Sequence, residues 1–121
     1  MSVETPALLT SPRLKSKRKV FTNDPGTVFF MNLMDVTGLS REDVQTWVEK
    51  LREWLWPEPS HMNYVQVVYA GKVVTGLTGK LRYSIAGGDM DMIRRVISTA
   101  ISLGIGTSRR NGFGRIRVRV R

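Results

Sequence analysis

The chain has 121 residues, with 19 Lys and Arg against 10 Asp and Glu, a formal charge of +9 and no cysteine. That length suits one domain with a single core, and the charge points to a polyanionic partner. The lack of cysteine excludes disulfides, thiolate zinc sites and a cysteine nucleophile, and it agrees with a reducing, cytoplasmic location. No apolar run approaches ~18 residues and no charged-then-apolar leader opens the chain, so nucleic acid is expected as the partner and a membrane is not.

Residues 1–10 read as a weakly structured lead, with Ala7-Leu8-Leu9-Thr10 a short strand candidate before a basic loop at 11–20. Arg13, Lys15, Lys17, Arg18 and Lys19 place five cations in seven positions of that loop. Such a run is either a solvated loop or a grip on RNA phosphates. Asn23-Asp24-Pro25-Gly26 is a turn signal, and Thr27 to Val36 fits a strand or a short helix equally well. Ser40 followed by Asp43 resembles a helix start, and Val44, Trp47, Val48, Leu51 and Leu55 then share one helical face until Pro57 is expected to stop it. Trp54 and Trp56 extend past that stripe; a tryptophan there more commonly completes a core, although an exposed one can stack on a base.

Tyr64 to Val74 is rich in β-branched and aromatic residues and reads as a strand. The next, Leu77 to Ile85, alternates: Leu77, Leu81, Tyr83 and Ile85 share one face, and Thr78, Lys80, Arg82 and Ser84 the other. Gly87-Gly88 turns the chain, and Asp89 or Asp91 caps a second helix with Ile93, Val96, Ile97, Ala100 and Ile101 as its buried stripe. A final strand sets Ile116, Val118 and Val120 inward against outward Arg115, Arg117, Arg119 and Arg121. With a first strand drawn from Ala7 to Val20, the order is βαββαβ. The expected fold is therefore α+β and ferredoxin-like, an antiparallel sheet with two helices on one face, over residues 1–121 as a single domain.

Between the last helix and the last strand lies Gly104-Ile-Gly106-Thr-Ser-Arg-Arg-Asn-Gly112-Phe-Gly114. Gly104, Gly106, Gly112 and Gly114 can take positive φ and bring main-chain N–H groups close to an anion, while Arg109 and Arg110 supply charge. The simpler use of such a segment is a turn joining helix to strand. Four glycines around an arginine pair, with Arg115 and Arg117 following, favour phosphate binding. Lys80 and Arg82 extend the same basic surface.

Gly76-Leu-Thr-Gly-Lys-Leu-Arg-Tyr83, a helix ending in Gly104-Ile-Gly106, and Asn111-Gly-Phe-Gly114 before a strand resemble the C-terminal half of the CRISPR-associated endoribonucleases of the RAMP superfamily. Leu8-Leu-Thr-Ser-Pro12 is similar to the strand that opens that half, so the resemblance spans most of residues 7–120. It implies a ferredoxin-like domain that binds CRISPR repeat RNA through the glycine-rich loop and serves in cutting the precursor transcript into guide RNAs without a cofactor. Typical members carry two such domains with the catalytic histidine in the first. The resemblance therefore implies a homodimer or a partner CRISPR-associated protein that restores the other half. A non-catalytic RNA-binding subunit and a general basic nucleic-acid-binding protein are the alternatives.

Cleavage in that family needs a base for the 2′-hydroxyl proton, a cation for the phosphorane and an acid for the leaving oxygen. His61 is the single histidine. It is read in a Pro57-Glu-Pro-Ser-His loop, and imidazole's near-neutral titration is its sole qualification as a base. Tyr64, Tyr69, Tyr83 and Lys80 are further candidates without a shared motif. No G-K-[ST], G-x-S-x-G or H-E-x-x-H occurs, and Asp89 with Asp91 is explained more simply by helix capping than by a metal.

Overall fold

The structure is a computed structural model that describes residues 1–12 and 19–120. Arg13, Lys15, Lys17, Arg18 and Arg121 of the sequence reading lie outside the described residues.

The chain opens with strand β1 (Ser2–Ala7) and crosses over through α1 (Pro25–Val28), α2 (Phe30–Thr37) and α3 (Gln45–Trp54). The hairpin β2 (Leu55–Tyr69) and β3 (Lys72–Ile85) follows, then α4 (Met90–Leu103) and β4 (Ile116–Arg117). The four strands form one antiparallel sheet in the order β2-β3-β1-β4. This is the βαββαβ arrangement, its first crossover being three helices where one was expected. Strand β1 is not the Ala7–Val20 stretch: Ser2–Ala7, read as a weakly structured lead, pairs with both β3 and β4.

Local chemistry explains the elements. Asp24 caps α1, accepting from the Thr27 backbone N–H at 3.1 Å, with Pro25 in the first turn where its missing N–H costs nothing. The ambiguous 27–36 segment is helical, and α2 ends at Gly38, which takes φ +68. Ser40 holds a turn ahead of α3 by accepting from the Asp43 N–H at 3.2 Å, and the helix itself begins later, at Gln45. Arg52 then reaches back from α3 to Asp24, with an ion pair of 2.9 Å tying the third helix to the first.

Pro57 stops nothing. The helix has already ended at Trp54, and β2 runs on from Leu55 through Pro57 and Pro59. Two prolines are tolerated because β2 is an edge strand, and its register shifts between Glu58 and His61. The expected His61 loop is therefore strand. The hairpin turns at Ala70-Gly71, both with positive φ (52° and 75°), the twist-matched geometry for a two-residue connection. Strand β4 is short, and Val120, placed inward by alternation, is 85% exposed.

The core lies between the sheet and the helices. Val3, Leu77, Leu81 and Ile116 from the sheet meet Phe30, Leu33, Val48, Leu51, Val96 and Ala100 from the helices and Phe29 from the junction of α1 and α2. Each such large apolar side chain contributes about 1.5–3 kcal/mol on full burial. Trp54 packs against this core and sets its ring edge-on to Trp47 at 6.3 Å, whereas Trp56 is exposed. Of the α4 stripe, Ile93, Val96 and Ala100 are buried and Ile101 is not. Asp89, not Asp91, caps that helix, accepting from the Asp91 and Met92 N–H groups.

Candidate nucleic-acid interface

Loop 104–114 is stitched to the end of β1. Ile105 N–H donates to Gly114 O at 2.9 Å, Thr107 N–H to Leu8 O at 2.8 Å and Gly114 N–H to Pro6 O at 2.9 Å. The glycines serve these backbone-on-backbone contacts. At Gly114, with φ +75, a Cβ would overlap the Ile105 carbonyl, and at Gly104 it would stand 2.8 Å from Gly114 O; Gly106 similarly abuts the Leu8 carbonyl. Gly112 differs, having φ +88 but no atom within 4 Å of a built Cβ. It closes the 3-10 turn Arg109–Asn111 by donating its N–H to Arg109 O at 3.0 Å.

This geometry engages three of the four glycine N–H groups within the fold. Those of Gly104, Gly112 and Gly114 are spent on Ala100, Arg109 and Pro6 carbonyls and are not offered to an anion. The glycines shape the loop, and side chains carry its charge.

Neighbouring elements pin the loop further. Thr5 Oγ1 donates to Gly112 O at 2.6 Å and accepts from the Arg115 N–H at 2.9 Å. Buried Asn32 of α2 donates to Gly104 O at 3.0 Å. Lys19 Nζ donates to Thr107 Oγ1 at 3.2 Å, which places the described end of the basic run beside the loop. At the hairpin tip Tyr69 contacts both Asn111 and Phe113.

The two loop arginines differ. Arg109 is held bidentately by Asp35 of α2, at 2.6 and 3.3 Å, and its side chain is only 17% exposed. It therefore anchors the loop to the helical layer. Arg110 is exposed and has no partner among the described residues, as is true of the Arg115 guanidinium.

Strand register assembles a second basic surface on the sheet face away from the helices. Lys80 of β3 stands opposite His61 of β2 on one side and Ser2 of β1 on the other, and Ser2 in turn pairs with Arg117 of β4. Arg82 stands opposite Glu58 in the next row. Lys80, Arg82 and Arg117 are exposed; Arg117 is joined to Glu4 at 3.0 Å, a pair whose arginine side chain is 81% exposed. Burial and the positive charges of Arg82 and Lys80 push the Met1 amine below its usual value. His61 is exposed on this face. Tyr83 is on the other: burial, with the charge of Asp24 nearby, raises its phenol well above the ordinary value, which removes it from proton transfer at the surface. Of the remaining candidates, Tyr64 packs on Phe21 with ring centroids 4.5 Å apart and Tyr69 belongs to the loop clasp.

The sequence reading missed the loop's supports, Asn32, Asp35 and Tyr69. The Asn32 and Asp35 contacts span 72 and 74 residues, and no local periodicity reports such a contact.

Sheet order and loop together define a ferredoxin-like domain with a glycine-rich loop between its last helix and last strand. The chain belongs to the family described as CRISPR-associated endoribonuclease Cas6, whose model matches residues 1–116. Among solved structures, one Cas6 product complex aligns with a TM-score of 0.72 at 16% identity, covering 93% of this chain and 47% of its own. A second Cas6 product complex gives 0.72 at 16%, covering 98% and 50%. Thermus thermophilus Cas6 gives 0.72 at 17%, covering 93% and 49%. The chain thus spans about half the length of the structures it resembles. No curated protein matches it by sequence. Among the described residues no helix is long and apolar enough to cross a membrane.

Proposed function

We propose that residues 1–121 act as one ferredoxin-like RAMP domain that binds CRISPR repeat RNA in the processing of the precursor transcript. The observation that carries this reading is the family match over residues 1–116, joined to a glycine-rich loop rigidly held beside unpaired cations. Arg110 and Arg115 at the loop, with Lys80, Arg82 and Arg117 across the sheet, supply phosphate-binding charge, and guanidinium forks match phosphate oxygens bidentately. Lys19, whose ammonium touches the loop, joins them, and Lys15, Lys17 and Arg18, outside the described residues, are assigned to RNA binding from the sequence alone. The RNA is bound by the side chains that rim the loop, and Gly104, Gly106, Gly112 and Gly114 fix their positions.

The test is incubation with repeat RNA and with a shuffled RNA of equal length, in chelator, followed by affinity measurement and gel analysis. Tighter binding of repeat RNA supports the reading, and cleavage within the repeat would add a metal-independent step. Equal affinity for both RNAs would reduce the protein to a general basic nucleic-acid binder.

A further inference from the structure

We propose that α4 and the facing end of α2 form a further phosphate-binding site, on the helical layer, for the RNA strand that leaves the glycine-rich loop. This inference rests on the RNA reading above and adds a contact surface that neither the loop nor the sheet provides.

An open depression of about 420 Å³ is lined by Arg94, Arg95, Ser98 and Thr99 of α4 with Asp35 and Val36 of α2. On a helix, Arg94 lies one turn before Ser98 and Arg95 one turn before Thr99, so the four form a continuous strip in which each cation neighbours a hydroxyl. Arg94 and Arg95 are exposed, and neither has an ion-pair partner among the described residues. Asp91 sits one turn towards the N-terminus and pairs with neither of them.

Asp35 would oppose an anion here, but its two oxygens already accept from Arg109, at 2.6 and 3.3 Å. The carboxylate is neutralised, and the two remaining cations set the sign of the depression. Thr99 Oγ1 donates to Val96 O at 2.8 Å, which leaves the exposed Ser98 hydroxyl as the donor for a ligand. Two guanidinium forks and a hydroxyl are a donor set for phosphate oxygens. Arg109 belongs to the 3-10 turn of the glycine-rich loop, so the Arg109–Asp35 pair joins the loop directly to the wall of this depression. A strand bound at Arg110 has a short path onto Arg94 and Arg95.

The experiment is an amide NMR titration of the wild-type chain and of Arg94→Ala/Arg95→Ala, with single-stranded repeat RNA in one arm and inorganic pyrophosphate in the other. Alongside it, RNA affinity is measured against salt. RNA is expected to shift the Ser98 and Thr99 amides in the wild type and not in the variant. The variant's affinity should fall several-fold, and its log–log salt slope should shrink by about 1.4, two single-strand phosphate contacts' worth. Arg94→Lys/Arg95→Lys should keep most of the slope, and the melting temperature of either variant should be unchanged because these side chains are exposed. RNA binding to the wild type without movement of Ser98 and Thr99 and with an unchanged slope in the alanine variant would overturn the site and leave the RNA reading standing. Shifts from pyrophosphate but none from RNA would overturn the RNA strand as its ligand in favour of a free small anion. A wild type that binds no RNA would overturn both readings.

Discussion

Asn111, in the glycine-rich loop, donates a hydrogen bond from Nδ2 to the Tyr69 hydroxyl at 2.8 Å, across 42 residues of chain. Tyr69 also sets its ring edge-on to Phe113 at 4.9 Å. The tip of the β2–β3 hairpin thus clasps the far end of the loop while Asp35 and Asn32 hold it from α2. The loop is a fixed part of the fold.

The clasp separates ring contact from hydrogen bond. Tyr69→Phe keeps the edge-on ring pair and is expected to cost less than about 1 kcal/mol, as befits one exposed hydrogen bond. Tyr69→Ala removes both contacts and should cost about 0.5–1.5 kcal/mol more. Urea unfolding of the two variants measures the difference, and equal stabilities would show that the rings do not hold the loop.

The glycines are not equivalent. Gly112→Ala meets open space and should cost only the left-handed backbone penalty, about 1–2 kcal/mol. Gly114→Ala drives a methyl group into the Ile105 carbonyl and must break the Ile105–Gly114 contact. It should destabilise the protein well beyond Gly112→Ala and abolish RNA binding with it. Comparable melting temperatures for the two would contradict the close-packed loop.

Arg109 and Arg110, adjacent in sequence, should part in function. Arg109→Ala removes the tie to Asp35 and should lower stability by about 1 kcal/mol. Arg110→Ala should leave stability unchanged and weaken RNA binding, since its side chain has no partner among the described residues. Paired unfolding and RNA-binding measurements check both; the reverse pattern would mean that Arg110 is the anchor.

Asp24 carries an acid-dependent share of stability. Burial alone would raise its carboxyl, but hydrogen bonds from Arg52 and Thr27, with the Arg52 charge, outweigh it and hold the group below its ordinary value. A depressed folded value means that stability is fully present above the unfolded value, near ~4, and is lost as pH falls through the lower folded value. Asp24→Asn should therefore be less stable than the wild type at neutral pH and converge with it at strongly acidic pH. Urea unfolding of both proteins across that range is the measurement, and a pH-independent difference would contradict the ion pair's role.

The fold was largely legible because period and topology speak locally. The alternation of Leu77, Leu81 and Tyr83 and the stripe Ile93, Val96, Ile97 and Ala100 reach the structure, whereas Ile85 and Ile101, read on the same faces, are exposed. Ser2–Ala7 was not legible: it contains Pro6 and Glu4 and owes its strand to pairing with β3 and β4 on either side. His61 was misplaced because Pro57 and Pro59 signal a loop unless the strand is known to be at an edge. At the site, the glycine spacing identified the loop, but the use of its N–H groups depended on the carbonyls of Pro6 and Leu8, about a hundred residues earlier, which no motif encodes. Arg94 and Arg95 escaped notice because a charged pair on an amphipathic helix reads as a solvated face; only the packing of α2 beside α4 gives them a shared depression.

On the proposed function, repeat RNA is held by the cations around the glycine-rich loop and across the sheet. The most direct measurement is repeat-RNA affinity as a function of salt for the wild type and for Lys80→Ala/Arg82→Ala/Arg110→Ala, three exposed cations whose loss should not disturb the fold. Weaker binding is expected, with a log–log salt slope smaller by about 2, near 0.7 for each single-strand phosphate contact removed. Unchanged affinity and slope in the triple variant, with the fold intact, would contradict it.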